Sequence, residues 1–212
     1  MARFSVSDAD KFGGQGGGGF FRLVDDKDTA RVRFLYGGIE DVEGFAVHQV
    51  EIDGKKRYVN CLREYGAPID DCPFCAKGYF TTAKYFIPVY NIDEDRVQIW
   101  ERGKQFGAKL SSMCARYSNL VSHTFEIERC GKKGDTGTTY EIYETGADDT
   151  KLSDFEVPSI LGGAVLDKSA DEMEYYLKHD DFPSADGNAE DDAPIRRRSS
   201  ERRTPSNRGD AF

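Results

Sequence analysis

Two runs of β-branched and aromatic residues, Gly44 to Ile52 (GFAVHQVEI) and Arg57 to Leu62 (RYVNCL), flank the turn-forming stretch Asp53-Gly54-Lys55-Lys56, and the pattern reads as a β-hairpin. Alternation of apolar and polar positions marks further strands over Arg31 to Tyr36, Lys84 to Ile92, Val97 to Arg102, Thr124 to Cys130 and Thr139 to Glu144. Between the last pairs, Lys104 to Leu120 places Phe106, Leu110, Met113, Tyr117 and Leu120 at helical spacing. Many short strands, closely spaced turns and one intervening helix predict a mainly β (α+β) fold, with a Greek-key barrel of the OB type as the leading arrangement.

After Asp149 the alternation fades, and a last helix is expected over Asp167 to Lys178. The glycine run Gly13 to Gly19 (GGQGGGG) divides a flexible arm and linker, residues 1–19, from the body. The organisation expected is a body over 20–150 that includes a metal loop at 44–78, an extension over 151–179, and a disordered tail over 180–212, acidic first and then arginine-rich.

Alternation also assigns faces. In Val97 to Arg102, Val97 and Ile99 share one face and are expected to point inward, leaving Trp100 exposed beside Arg102. In Lys84 to Tyr90, Lys84, Phe86 and Tyr90 lie together, and in Arg31 to Tyr36 the basic Arg31 and Arg33 share a face. Basic side chains interleaved with exposed rings suit a single strand of nucleic acid, because bases stack on rings at about 1–3 kcal/mol each while cations neutralise phosphates.

Charge refines the picture. The net charge of −9 argues against a polyanionic partner, but residues Arg96 to Lys133 carry eight basic side chains, Lys104, Lys109 and Arg129 among them, against three acidic ones. Residues Asp167 to Asp192 carry ten acidic against two basic, so much of the acidity belongs to the carboxyl-terminal part.

The spacing with the most chemical content is His48-x12-Cys61-x10-Cys72-x2-Cys75. Cys72 and Cys75 can turn on one loop to occupy two corners of a tetrahedron, and His48 and Cys61 supply the other two, so one structural Zn2+ is expected. A two-residue hairpin turn sets His48 opposite Val59 and diagonal to Cys61, whereas a four-residue turn sets it opposite Cys61. Both place the two side chains on one face, about 5–8 Å apart. Four protein ligands leave no position for an activated water. No carboxylate cluster with an accompanying base stands out, and no catalytic role is expected. Cys114, on the helix, reads as a small core residue. Five cysteines in a chain without an apolar export segment, and without 18 continuous apolar residues, imply ligation and free thiols in a cytoplasmic protein with no membrane partner.

The ligand spacing, followed by KYFIPVYNIDEDRVQIWERGKQFGAKL at Lys84 to Leu110, resembles the zinc-containing, helix-destabilising single-stranded-DNA-binding proteins of T-even-type bacteriophages and their relatives. The likeness runs from Phe20 to Glu144, with Trp100, Arg102, Gly103 and Lys104 on the family's run after the zinc loop. The resemblance implies an OB-fold with a zinc-bearing subdomain, largely sequence-independent binding of single-stranded DNA, and a role in phage replication, recombination and repair in the host cytoplasm. It carries the metal ligands over to His48, Cys61, Cys72 and Cys75, and the DNA-stacking aromatics to Trp100 and Tyr85. Here a glycine-rich linker stands where those proteins have the basic arm that supports cooperative binding, and an arginine-rich stretch follows the acidic segment before Asp210-Ala211-Phe212. An acidic tail ending in Phe is similar to the partner-docking tip of bacterial single-strand-binding proteins, which implies replication and recombination proteins as partners. The alternative is a zinc-ribbon transcription or protein-interaction module that does not bind single strands.

Overall fold

Asp53 and Gly54 both take positive φ, 51° and 71°, the conformation a two-residue type I′ turn requires, and this settles the hairpin register with His48 opposite Val59. The strands so joined are β2 (Gly44–Ile52) and β3 (Lys55–Asn60). The structure is a computed structural model describing residues 19–183; the amino-terminal arm and nearly all of the tail expected over 180–212 lie outside the described residues.

Around the hairpin stand β1 (Thr29–Phe34), β4 (Thr81–Asn91), β5 (Arg96–Gly103), β6 (His123–Cys130), β7 (Thr139–Ala147) and a two-residue β8 (Val165–Leu166). They form one mixed, mainly antiparallel sheet in the order β7-β6-β1-β4-β2-β3-β8, with β5 on the other edge of β4. β4 organises it: Thr81 to Tyr85 pair with β2, Val89 to Asn91 pair with β1 along the same edge, and β5 pairs along the opposite edge. No ladder joins β5 to β7 among the described residues, so the sheet is open where a closed barrel was expected. Instead Gly19 to Phe21 runs along β5, with Ile99 bonded to the carbonyl of Gly19 and Phe21 to that of Ile99.

Both faces of the β4–β5 pair are buried. Ile87, Val89 and Trp100 point into the largest core cluster with Phe21, Phe34, Leu110 and Phe125, while Phe86 and Ile99 point into a second one with Val47 and Val165. The alternation in β5 is real, but its assignment of an inner and an outer face is corrected here. Trp100 is fully buried at 0% exposure, packed by Phe21 and Phe106 from segments outside the strand. Phe86, at 1%, is likewise interior.

The short helix α1 (Pro73–Ala76) carries Cys75, and α2 (Gly107–Arg116) lies between β5 and β6 with Leu110 and Met113 buried. The pattern predicted a helix to Leu120, yet it ends before Tyr117, whose extended backbone sends its ring against Phe125. The last helix, α3 (Ala170–His179), starts three residues later than predicted because Ser169 and Glu172 form a capping box. β8 escaped periodicity because two residues, paired parallel to Tyr58 and Val59, have no period. α3 presses Met173 and Tyr176 onto a third cluster with Cys72, Phe74 and Cys75. Met173→Ala is therefore expected to cost about 2–5 kcal/mol, measurable by urea denaturation, and a loss below about 1 kcal/mol would show that α3 does not buttress that cluster.

Candidate metal centre

The diagonal register across β2 and β3 brings His48 and Cys61 together, and the tight loop into α1 returns Cys72 and Cys75 to the same point. All four ligand atoms lie within 4.8 Å of one another. Cys61 Sγ is 3.6 Å from Cys75 Sγ, and His48 Nε2 is 3.4 Å from Cys72 Sγ and 3.6 Å from Cys75 Sγ. With bonds of about 2.3 Å to sulfur and about 2.0–2.1 Å to nitrogen, a tetrahedron has edges of about 3.8 Å between sulfurs and about 3.5 Å between sulfur and nitrogen. The cluster thus fits a tetrahedral metal ion, and the expected ligand set is brought together complete.

The surroundings prepare these groups to ligate. His48 Nδ1 lies 3.2 Å from the Phe80 carbonyl; that acceptor calls for the proton on Nδ1, which leaves the Nε2 lone pair directed at the thiols. Burial lowers the imidazole pKa despite that bond, keeping the ring neutral. Burial and the neighbouring thiols push Cys61 up to about 11, a repulsion that a cation at the centre relieves. Burial opposes ionisation of Cys72 too, but backbone bonds from Cys75, Leu62 and Phe74 outweigh it and bring the thiol below its ordinary value. The Thr81 hydroxyl, 3.4 Å from Cys75 Sγ and 3.9 Å from Cys61 Sγ, is a further neighbour that the ligand spacing did not reveal. His48, Cys72 and Cys75 are buried and Cys61 is half-buried, with Phe74 and Tyr176 closing the site. Four protein ligands would complete the shell of a tetrahedral ion and leave no open position on it.

The residues expected to contact nucleic acid are placed unevenly. Arg31 pairs with Asp93, and Lys84 pairs with Glu101 at 2.6 Å. Arg33 pairs with Asp148, whose carboxyl is held well below the usual range by Thr150 and Arg33. Tyr90 bonds Asp95, and the Tyr85 hydroxyl sits against Gly107, where a Cβ would have to displace the Tyr85 ring. Lys109 donates to the Tyr140 carbonyl, and Lys104 is exposed. Trp100 and Phe86, both interior, cannot stack on a base in this conformation.

Arg102 and Arg129, by contrast, meet in a groove of about 390 Å³ that also contains Phe20, Arg22, Lys133 and Tyr140. The Arg102 guanidinium lies over two rings, 4.7 Å from Trp100 and 4.3 Å from Tyr140, and its buried Nε has no hydrogen-bond partner among the described residues. Arg129 is held by the carbonyls of Leu23, Gly131 and Lys132 and by the Tyr140 hydroxyl. Four basic side chains face one acidic one, Glu101. Phe20, Arg22 and Tyr140 were not selected from sequence, because Phe20 and Arg22 precede the first strand and Tyr140 joins them only through the packing of β7 near β5. Among the described residues, no helix is long and apolar enough to cross a membrane.

No protein-family model matches the chain, and comparison with curated proteins finds no match.

Proposed function

We propose that this chain is a single-stranded-DNA-binding protein whose Zn2+ is structural and whose strand-binding surface is the groove lined by Phe20, Arg22, Arg102, Arg129, Lys133 and Tyr140. The observation that carries the reading is the company of four cations and the half-buried rings of Phe20 and Tyr140 in one groove, the combination of charge and aromatic surface that neutralises phosphates and stacks bases without reading sequence. Connectivity supports an OB-type core: β5-β4-β1-β6-β7 with α2 between the third and fourth of these in chain order follows the Greek-key barrel path, and the metal hairpin β2–β3 is inserted between its first two strands. A ligand set of three thiolates and one imidazole, at tetrahedral spacing, favours zinc among divalent ions. Replication and recombination proteins as partners, and the host cytoplasm as location, follow from the family resemblance and belong to the same proposal.

Titration with unstructured oligo-dT and with duplex DNA at two salt concentrations tests it. Preference for the single strand is expected, with log K falling against log salt by about 0.7 per neutralised phosphate. Arg22→Glu/Lys133→Glu, at two exposed positions, should reduce that slope by about 1.4 if each side chain meets one phosphate. Equal affinity for duplex, or an unchanged slope in the double variant, would remove the groove from DNA binding. A protein-docking role for the metal loop is favoured by one observation, the exposure of Tyr65 at 107% and Phe80 at 90%. It predicts no response to oligo-dT at any salt.

A further inference from the structure

A second groove, of about 470 Å³, has the opposite electrostatic character. Leu35, Phe45, Phe86 and Pro88 form an apolar floor, and Val157 and Leu161, exposed at 40% and 43%, form one wall. Glu40, Asp41 and Glu43 form the rim, and among the described residues no lysine or arginine lines the groove. Among the described residues none of the three carboxylates is in an ion pair. Asp41 is occupied locally, accepting from the backbone of Gly37 and Gly38 at 2.6 and 3.1 Å, so Glu40 and Glu43 are left to face solvent. Their field is felt inside. The Tyr36 hydroxyl is pushed above its ordinary value by burial first and then by Cys114, Asp41 and Glu43, and the Cys114 thiol is pushed up by burial and then by Glu40 and Asp41.

An apolar floor under an uncompensated acidic rim is complementary to a peptide that carries positive charge beside an apolar side chain. We propose that this groove docks a cationic segment of a partner protein, with arginine or lysine side chains on Glu40 and Glu43 and an apolar anchor against Val157 and Leu161. The groove of opposite sign elsewhere on the body is left free for nucleic acid, so the two ligands do not compete for the same charges. The chain has an arginine-rich stretch of its own, Arg196 to Arg203, but this follows directly behind Asp186, Glu190, Asp191 and Asp192. Seating it would draw further carboxylates toward an acidic rim, which favours a partner without such a flank.

The test is fluorescence anisotropy with the full-length protein and a labelled peptide PIRRRS, the sequence of Pro194 to Ser199, used as a probe of this chemistry in low salt and without DNA. Saturable binding is expected, weakened at least tenfold by Glu40→Gln/Glu43→Gln and also by Leu161→Lys on the opposite wall. The melting temperature of each variant is measured alongside, and the residues exchanged are exposed, so folding should persist. Binding that is absent, or equal in wild type and both variants, overturns the site. A tenfold gain in peptide affinity when Arg196, Arg197 and Arg198 are changed to alanine in the full chain would identify the chain's own segment as the occupant and overturn the partner. Because DNA is omitted, failure here leaves the oligo-dT result untouched.

Discussion

Full-length protein carrying Cys75→Ser is expected to melt at least about 8–16 °C below the wild type and to lose its bound zinc. The cluster it disrupts joins β2, β3, the start of β4, α1 and, through Met173 and Tyr176, α3. A structural zinc contributes about 10–16 kcal/mol of apparent binding energy in small domains, because the site does not exist in the unfolded chain. Even a loss of about 4 kcal/mol gives the stated drop, at about 2–4 °C per kcal/mol for a chain of this size. Differential scanning calorimetry with metal analysis of the same samples measures both effects. Cys114→Ser is the control, since this half-buried thiol lies outside the ligand cluster. A chelator should reproduce the Cys75→Ser melting curve in the wild type. If Cys75→Ser melts like Cys114→Ser and the wild type carries no metal, the four residues are ordinary core.

Trp100→Ala is expected to destabilise the fold by about 3–5 kcal/mol, the cost of truncating a large aromatic residue in a close-packed interior. Its ring meets Phe21, Phe34, Phe106 and Tyr140 at centroid distances of 5.0–6.2 Å, and Arg102 covers it from the groove side. The effect belongs to folding, and urea denaturation should show it without DNA. The same burial predicts that the emission of this sole tryptophan shifts to the red on unfolding and is little quenched by oligo-dT. An emission maximum typical of exposed indole in the native protein, or a variant as stable as the wild type, would return Trp100 to the surface. The contrast with Arg22→Glu/Lys133→Glu is diagnostic: that pair should alter DNA affinity and leave the melting temperature near its wild-type value.

By itself, the sequence determined what depends on local geometry and on ligand chemistry. Asp53-Gly54-Lys55-Lys56 marks a hairpin, and either turn length it allows puts His48 and Cys61 on one face; the positive φ of Asp53 and Gly54 in the structure selects the two-residue turn. Cys-x2-Cys closes one loop around a point, so the whole ligand set was legible from spacing. The seven principal strand segments were legible as well, since alternation with period two survives in each. What alternation cannot supply is the identity of whatever covers each face. Trp100 reads as the polar side of β5 because Gln98 and Arg102 share its parity, yet Phe21, Phe106 and Tyr140 arrive from distant segments and bury it. Long-range ion pairs that alternation could not supply also tie Arg31 to Asp93, with Arg31 still exposed, and Arg33 to Asp148, with Arg33 largely covered. The basic groove, the acidic groove and the two-residue β8 exist only where segments remote in the chain meet. Only the tertiary structure decided them, because burial and charge pairing are properties of what a residue packs against, and its neighbours in sequence do not specify that.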